Sequence, residues 1–194
     1  RKLLSITTIF AILLPLLAFP QGASAAAPVS IYDIQYTTDP SGDSPYEGTE
    51  VITQGIVTGF FYDGGNRYTF IQDGTGPWSG LVLYRPNGYV NVGDLLEITG
   101  TVSEYDVLTE IAYGDVTVIS SGNTLPVPEV LPTADVSQEM WEGVLVRVEN
   151  VTVTNDDLGY GEWEVDDTSG AVAVDNLGDY SYSPTDGDVL NFVQ

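Results

Sequence analysis

The sequence contains no cysteine and no histidine, and its basic residues are few: five Lys and Arg stand against 28 Asp and Glu. Without cysteine no disulfide can form, so the folded state must depend on burial of an apolar core. The two absences also exclude zinc-finger sites, cysteine nucleophiles and imidazole bases. We therefore expect this segment to be no enzyme and to need no cofactor, apart from a Ca²⁺ ion considered below.

Residues 1–27 have the pattern of a secretory signal peptide. A charged start at Arg1 and Lys2 precedes an apolar run from Leu3 to Phe19, and small residues follow. The run is short for a membrane-spanning helix, which needs about 20 residues. The pattern predicts secretion, with no membrane span after cleavage.

Cleavage would leave only three basic residues, Arg67, Arg85 and Arg147, against all 28 acidic ones. This imbalance opposes non-specific binding to nucleic-acid phosphates, which depends on Lys and Arg. It is typical of a protein exposed to a saline or Ca²⁺-rich exterior.

One sequence pattern occurs twice at a nearly constant spacing of about 94 residues, which indicates a duplicated unit. The landmarks that recur are Glu47 and Glu142, Asp73 and Asp167, and Gly93-Asp94 and Gly187-Asp188. The second copy stops at Gln194 within a strand pattern, so we expect it to be truncated and the chain to be a fragment.

Strand patterns with glycine at the bends, and no sustained helical period after Ala27, predict an all-β fold of small five-stranded barrels. The predicted strands of the first copy are 51–62, 67–72, 80–84, 95–103 and 109–119, the last broken at Gly114, with a lead-in strand at 31–36. The predicted organisation is a signal peptide at 1–27, a lead-in at 28–48, a first barrel at 49–121, a proline-rich linker with a helical turn at 122–141, and an incomplete second barrel at 142–194.

Several motifs carry a resemblance to a known family. They are Ile34-Gln35, Gly55–Thr58, Phe70–Asp73, Val92–Asp94, Gly100–Tyr105, Trp141–Val146 and Gly161–Trp163. Together they resemble the OB-like region that precedes the endonuclease/exonuclease/phosphatase domain of bacterial extracellular nucleases.

The resemblance covers the chain from about Ile31 to its end. It implies two tandem OB-like barrels that act as a non-catalytic accessory module of a secreted bacterial protein. The catalytic domain would follow in the same chain and would supply the metal-binding acidic residues and the histidine. The alternative is a structural or adhesive cell-surface module that binds protein or glycan. We expect a monomer in either case.

OB-type barrels bind ligands across their second and third strands. That face would draw on Tyr62, Arg67, Tyr68, Phe70, Trp78, Tyr84 and Arg85. The aromatic rings could stack on the bases of single-stranded nucleic acid. Ordinary packing is the interpretation we favour, with Phe70 filling the barrel and Tyr68 and Tyr84 packing outside, because alternate side chains of a strand face opposite ways. The equivalent strand of the second copy, 162–167, is acidic, so any nucleic-acid contact is expected in the first.

Four acidic residues, Asp156, Asp157, Asp166 and Asp167, form a candidate Ca²⁺ site because oxygen ligands suit this ion. Their spacing lacks the pattern of a dedicated Ca²⁺ loop, so a solvated acidic face is the favoured interpretation. Asp73 and Asp167, and likewise Asp94 and Asp188, are predicted to be turn residues whose carboxylates accept backbone N–H groups.

Overall fold

The computed structural model describes residues 27–178 and 180–194, so nearly all of the predicted signal peptide lies outside the described residues. Within the described part, no helix is long and apolar enough to cross a membrane.

The regular secondary structure of the described chain is almost entirely β-strand, with one α-helix of five residues. Its elements are α1 (Ile31–Gln35), β1 (Glu50–Asp63), β2 (Asn66–Gln72), β3 (Gly80–Tyr84), β4 (Leu95–Tyr105), β5 (Leu108–Ala112), β6 (Asp115–Ser120), β7 (Glu129–Val130), 3₁₀-helices at Thr133–Asp135 and Glu139–Trp141, β8 (Val146–Gly159), β9 (Glu162–Asp166), β10 (Val172–Val174) and β11 (Val189–Val193).

The first repeat is a closed barrel. Its strands follow the order β1-β2-β3-β5-β4, and β4 pairs back to β1. The pairs are antiparallel except β3–β5, which is parallel. This order is that of an OB-like barrel, in which closure leaves few exposed edges. The prediction of an all-β, OB-like fold is therefore confirmed.

The predicted fifth strand does break at Gly114. Its first half, β5, pairs with β3 and β4 and closes the barrel, whereas its second half, β6, continues along β4. The barrel core consists of inward-facing residues that are fully or almost fully buried: Val51, Val57, Ile71, Leu81, Leu83, Leu96, Ile98, Val102 and Ile111.

The lead-in segment forms the helix α1, so the strand predicted at 31–36 is wrong. The hydroxyl of Ser30 caps the helix by accepting the N–H of Asp33 at 3.1 Å, as expected of an N-cap serine. The carboxylate of Asp73 accepts the N–H of Ile31 at 2.8 Å, and both isoleucines of the helix are fully buried. The start of the helix is thus fixed by a residue that lies 42 positions further along the chain.

The second repeat is an open sheet in the order β10-β9-β8-β11, with β7 parallel to β8. These strands correspond to β3, β2, β1 and β4 of the first repeat. The described residues supply no counterpart of β5 to pair with β10. Its smaller core contains Val148, Val151, Val153, Trp163 and Val165.

The Gly-Asp turns dock identically in the two repeats. The N–H of Gly93 donates to the carbonyl of Val57 at 2.9 Å, and the N–H of Gly187 donates to that of Val153 at 2.9 Å. Both glycines have φ near +85°, a conformation that favours glycine. In each repeat, a register shift in the long first strand immediately follows the docked valine. The Gly-Asp motif that occurs twice in the sequence therefore has a structural role in both repeats.

The loop carboxylates also have matching roles. Asp73 accepts the N–H of Ile31, and Asp167 accepts the N–H of Thr133 at 3.3 Å, so each holds the start of a short helix. Asp167 also accepts the N–H of Ser169 at 2.9 Å. The prediction that these carboxylates accept backbone N–H groups is confirmed.

Residues 122–141, the predicted linker, contain the counterpart of the lead-in. The N–H of Leu131 donates to the carbonyl of Arg147 at 2.9 Å, as that of Val29 donates to Ile52 at 2.7 Å. The helical turn predicted here is present as the two 3₁₀-helices.

The two repeats pack against each other through the end of this segment and the residues that follow it. The side-chain oxygen of Gln72, which is almost fully buried, accepts the N–H of Leu145 at 2.7 Å. The N–H of Trp78 donates to the carbonyl of Met140 at 2.7 Å. The loop between β2 and β3 is therefore held by the second repeat.

Candidate ligand-binding face

Five aromatic rings form a continuous band on the outer surface of the first barrel; we call Phe61, Tyr68, Phe70, Tyr84 and Tyr113 the aromatic strip. The rings of Phe61 and Tyr68 stack at 4.8 Å between centroids, and Phe61 lies 5.8 Å from Phe70. Tyr84 is 5.0 Å from Tyr68 and 5.7 Å from Tyr113. The strip crosses the strands on which OB-type barrels bind their ligands.

Strand register brings these rings together. Phe61 pairs with Tyr68, and Tyr68 pairs with Tyr84, so the three side chains share one face. Thr69 and Ile71, the neighbours of Phe70 along β2, point to the opposite face and are fully buried. Phe70 is therefore on the outside with Tyr68, and the expectation that it fills the barrel is wrong.

The two candidate arginines lie apart. Arg85 is exposed at the end of β3, and its guanidinium carbon is 5.4 Å from the centre of the Tyr113 ring, so it extends the strip. Arg67 faces the opposite way from its neighbour Tyr68. It packs over Phe60 at 4.2 Å and donates to the carbonyl of Val90 at 2.7 Å.

Two other candidate residues also lie off the strip. Tyr62 pairs with Arg67 across the hairpin, and its ring centre is 6.1 Å from that of Phe60. Both rings lie on the face of the sheet opposite to the strip. Trp78, in the loop between β2 and β3, packs edge-on against Tyr36 of the lead-in at 5.7 Å. Of the predicted ligand-binding residues, Tyr68, Phe70, Tyr84 and Arg85 are thus brought together.

A cavity of about 300 Å³ adjoins the strip at the end of the barrel where the β1–β2 and β4–β5 hairpins approach each other. We call it the tyrosine pocket. Its lining residues are Asp63, Asn66, Tyr68, Tyr84, Tyr105 and Glu110.

Two lining residues have perturbed acidity. Burial, together with the nearby Glu104 carboxylate, raises the pKa of Glu110 above its ordinary value. Desolvation, reinforced by Tyr84, Asp63 and Glu110, raises the pKa of Tyr68. The pocket is therefore acidic and partly shielded from water, and Tyr68 stays neutral at physiological pH.

The acidic residues proposed to bind Ca²⁺ belong to the second repeat. The carboxylate of Asp156 accepts the N–H of Asp186, and that of Asp157 accepts the N–H of Gly159 at 2.9 Å. The carboxylate of Asp166 accepts the N–H of Thr168 at 2.6 Å. In the part of the chain that the structure describes, no three His, Cys, Asp or Glu side chains form a group that could hold a metal ion. Ca²⁺ binding stays a prediction.

The corresponding face of the second repeat differs. Trp163 of β9 is buried in the core, and Glu162 and Glu164 on either side of it are partly exposed. The aromatic strip has no counterpart on this strand, so the candidate face belongs to the first repeat.

Sequence reasoning did not find Phe61, Tyr105 and Tyr113, and it did not place Glu110 on this face. The hairpin signal at 63–66 could have located Phe61, because counting outward from that turn pairs it with Tyr68. Tyr105 and Glu110 reach the tyrosine pocket, and Tyr113 reaches the strip, only through the closure of the barrel by β5, for which no local signal exists.

No family model and no curated protein matches this chain. Among solved structures, it is similar to a chain from a Replication Protein A heterotrimer bound to ssDNA, with 15% identity and a TM-score of 0.36, over 48% of this chain and 80% of that one. It is also similar to a protein assigned as an aspartyl-tRNA synthetase from Leishmania major Friedlin, with 10% identity and a TM-score of 0.37, over 54% of this chain and 23% of that one. The OB-like assignment rests on the strand order of the first repeat and not on these similarities.

Proposed function

We propose that this chain is a non-catalytic binding module whose aromatic strip binds single-stranded nucleic acid by base stacking. The observation that carries the proposal is the continuity of five rings across the outer faces of β1, β2, β3 and the end of β5. Each stacked base contributes about 1–3 kcal/mol by alanine substitution, without sequence preference.

Charge shapes this mode of binding. Among the described residues, Arg85 is the one basic residue beside the strip, whereas Asp63 and Glu110 lie next to Tyr68 and Tyr84. Phosphates would therefore point away from the barrel, and stacking would provide most of the affinity. We expect the affinity to change little with salt or to rise, in contrast to the steep loss seen for basic nucleic-acid-binding proteins.

The experiment is a fluorescence anisotropy titration of labelled single-stranded DNA with the chain at 50 and 300 mM NaCl, with and without Ca²⁺. Tyr68→Ala is expected to weaken binding by roughly 5- to 150-fold, which corresponds to about 1–3 kcal/mol. Tyr62→Ala is the matched control, because Tyr62 lies near the same hairpin on the opposite face. Absence of binding in all conditions, or equal losses in the two variants, would refute the proposal.

The larger context proposed is a secreted bacterial protein in which this module precedes a metal-dependent nuclease or related phosphoesterase domain. The signal-peptide pattern at 1–27 and the resemblance to extracellular nucleases support it. Sequencing the reading frame beyond Gln194 tests it. A following domain with paired carboxylates and histidines is expected, and further β repeats with an anchoring signal would contradict it.

A structural or adhesive module that binds a protein or glycan is the second candidate. The carboxylates of Asp63 and Glu110 beside the strip favour it, because they suit a basic or neutral partner better than a phosphate chain. A chain that binds no single-stranded DNA under any of the four conditions above would favour this function.

A further inference from the structure

We propose that the tyrosine pocket is a subsite for an organic ammonium group, as carried by a free alkylamine or by a lysine side chain. The pocket lies beside the aromatic strip, and this inference goes beyond nucleic-acid binding. It rests on three features of the lining: an almost fully buried glutamate whose carboxylate has no hydrogen-bond partner among the described residues, a second carboxylate at the rim, and three tyrosine rings.

Glu110 is the central feature. It lies on β5 between two buried residues, and only 5% of its own surface is exposed. Its backbone carbonyl accepts a hydrogen bond from Ser103, but its carboxylate has no hydrogen-bond partner among the described residues. Partial desolvation of an ionised carboxylate without a partner costs free energy, which a cation in the pocket would offset.

Aromatic walls suit the same ligand. The rings of Tyr68, Tyr84 and Tyr105 line the cavity. An ammonium group over such rings is attracted to their negative faces by the cation–π interaction. Asp63 adds a second negative charge, and the side-chain oxygen of Asn66 can accept an ammonium N–H.

Other ligand classes fit less well. Ca²⁺ takes six to eight oxygen ligands, whereas this lining has two carboxylates and three aromatic walls. A phosphate would be repelled by both carboxylates. A cavity of about 300 Å³ is large enough for an alkylammonium group together with part of its carbon chain.

The experiment titrates the chain with n-butylammonium and with 1-butanol, its neutral isostere, while NMR monitors the tyrosine ring signals. We expect the cation to bind at least tenfold more tightly than the alcohol. A second pair, acetyl-lysine-amide and acetyl-norleucine-amide, distinguishes the sources. Tighter binding of the lysine compound than of butylammonium would assign the subsite to a protein partner, and equal or weaker binding would assign it to free amines.

Two variants and a control identify the site. Glu110→Gln should weaken cation binding about tenfold or more, whereas Glu50→Gln, the same loss of charge at an exposed position outside the pocket lining, should change it less than twofold. Tyr105 is 68% exposed, so Tyr105→Ala should fold and should weaken binding severalfold even if Glu110→Gln does not fold. Equal binding of cation and alcohol, or unchanged cation binding in Tyr105→Ala, would overturn the proposal.

The same variants separate this inference from the proposed function. Neither Glu110 nor Tyr105 belongs to the aromatic strip, so their substitution should leave single-stranded DNA binding unchanged or, for Glu110→Gln, slightly stronger. DNA binding that survives in variants lacking cation binding would support both assignments as independent.

Discussion

Glu142 connects the two repeats through a partly buried carboxylate. One of its oxygens accepts the N–H of Thr109 at 3.0 Å and the side-chain N–H of Gln35 at 3.3 Å, so it ties the second repeat to β5 and α1. Burial, with the nearby carboxylates of Glu139 and Glu104 adding to it, raises the pKa of Glu142 to about 7. The folded state therefore holds a proton on this side chain at pH values where the unfolded chain has released it.

The expected consequence is a loss of stability as pH rises. In the unfolded chain the Glu142 carboxyl has its ordinary pKa of 4.5, so it loses its proton at a lower pH than in the folded state. The contribution of Glu142 to the free energy of unfolding therefore falls between about pH 4.5 and about pH 7 and is constant above that range. Glu142→Gln keeps an acceptor for the Thr109 N–H and cannot ionise. The free energy of unfolding of this variant should therefore rise relative to that of the wild type by about 1–2 kcal/mol between pH 5 and pH 8, after allowance for the partial exposure of the side chain.

Urea denaturation at pH 5, 6, 7 and 8 measures this difference. Glu47→Gln, a substitution at an exposed turn residue, is the control and should follow the wild type. If the free energy of unfolding changed with pH in the same way in the wild type and in Glu142→Gln, Glu142 would not titrate in this range.

At the scale of elements, β3 and the start of the second repeat approach each other so closely that no side chain fits between them. A Cβ added to Gly80 would lie 2.2 Å from the carbonyl carbon of Gly143. Backbone atoms form both sides of this contact, so a clash with an added Cβ could be removed only by moving a whole strand. This packing places Leu145 where Gln72 can bind its N–H.

Gly80→Ala is therefore expected to destabilise the chain by about 1–3 kcal/mol, as overpacking of a rigid interior does. Gly59→Ala is the matched control, since Gly59 also lies in a strand and a Cβ there meets no atom within 4 Å. Denaturant unfolding measures both free energies. If Gly80→Ala proved as stable as Gly59→Ala, the close packing of the two repeats would be wrong.

Elements differ in how well local sequence predicts them. The five strands of the first barrel and the break at Gly114 followed from strand patterns and glycine positions. The helix α1 did not, because five residues are too few to show a helical period and its start depends on Asp73. A turn that depends on a distant carboxylate leaves no local signature.

The candidate site was predictable only in part, for the same reason. Tyr68 and Tyr84 follow from the expected ligand-binding strands of a barrel. Arg67 could have been excluded by strand alternation, since it is adjacent to Tyr68 and must face the other way. The pocket joins residues from all the strands of the barrel, so Glu110 can be assigned to it only when the parallel β3–β5 pairing is known.

At the scale of the whole molecule, acidic charge dominates. Each of the three arginines beyond the predicted signal peptide packs over an aromatic ring: Arg67 over Phe60, Arg85 over Tyr113 and Arg147 over Phe192. Three guanidinium groups cannot pair with 28 carboxylates, so most carboxylates have no cationic partner. Mutual repulsion among them opposes the compact state.

We expect the chain to become more stable as NaCl is raised from 20 to 500 mM, because the Debye length falls from roughly 20 Å to about 4 Å and repulsion between exposed carboxylates is screened. Each kcal/mol gained should raise the midpoint of thermal unfolding by about 2–4 °C for a chain of this size. Differential scanning calorimetry in NaCl and KCl measures the effect, which should be the same for both salts if screening is the cause. Glu47→Lys, which reverses one exposed charge, should unfold at a higher temperature in low salt and respond less to added salt. A midpoint that stays constant or falls with added NaCl would mean that repulsion among the acidic residues does not limit the stability of this fold.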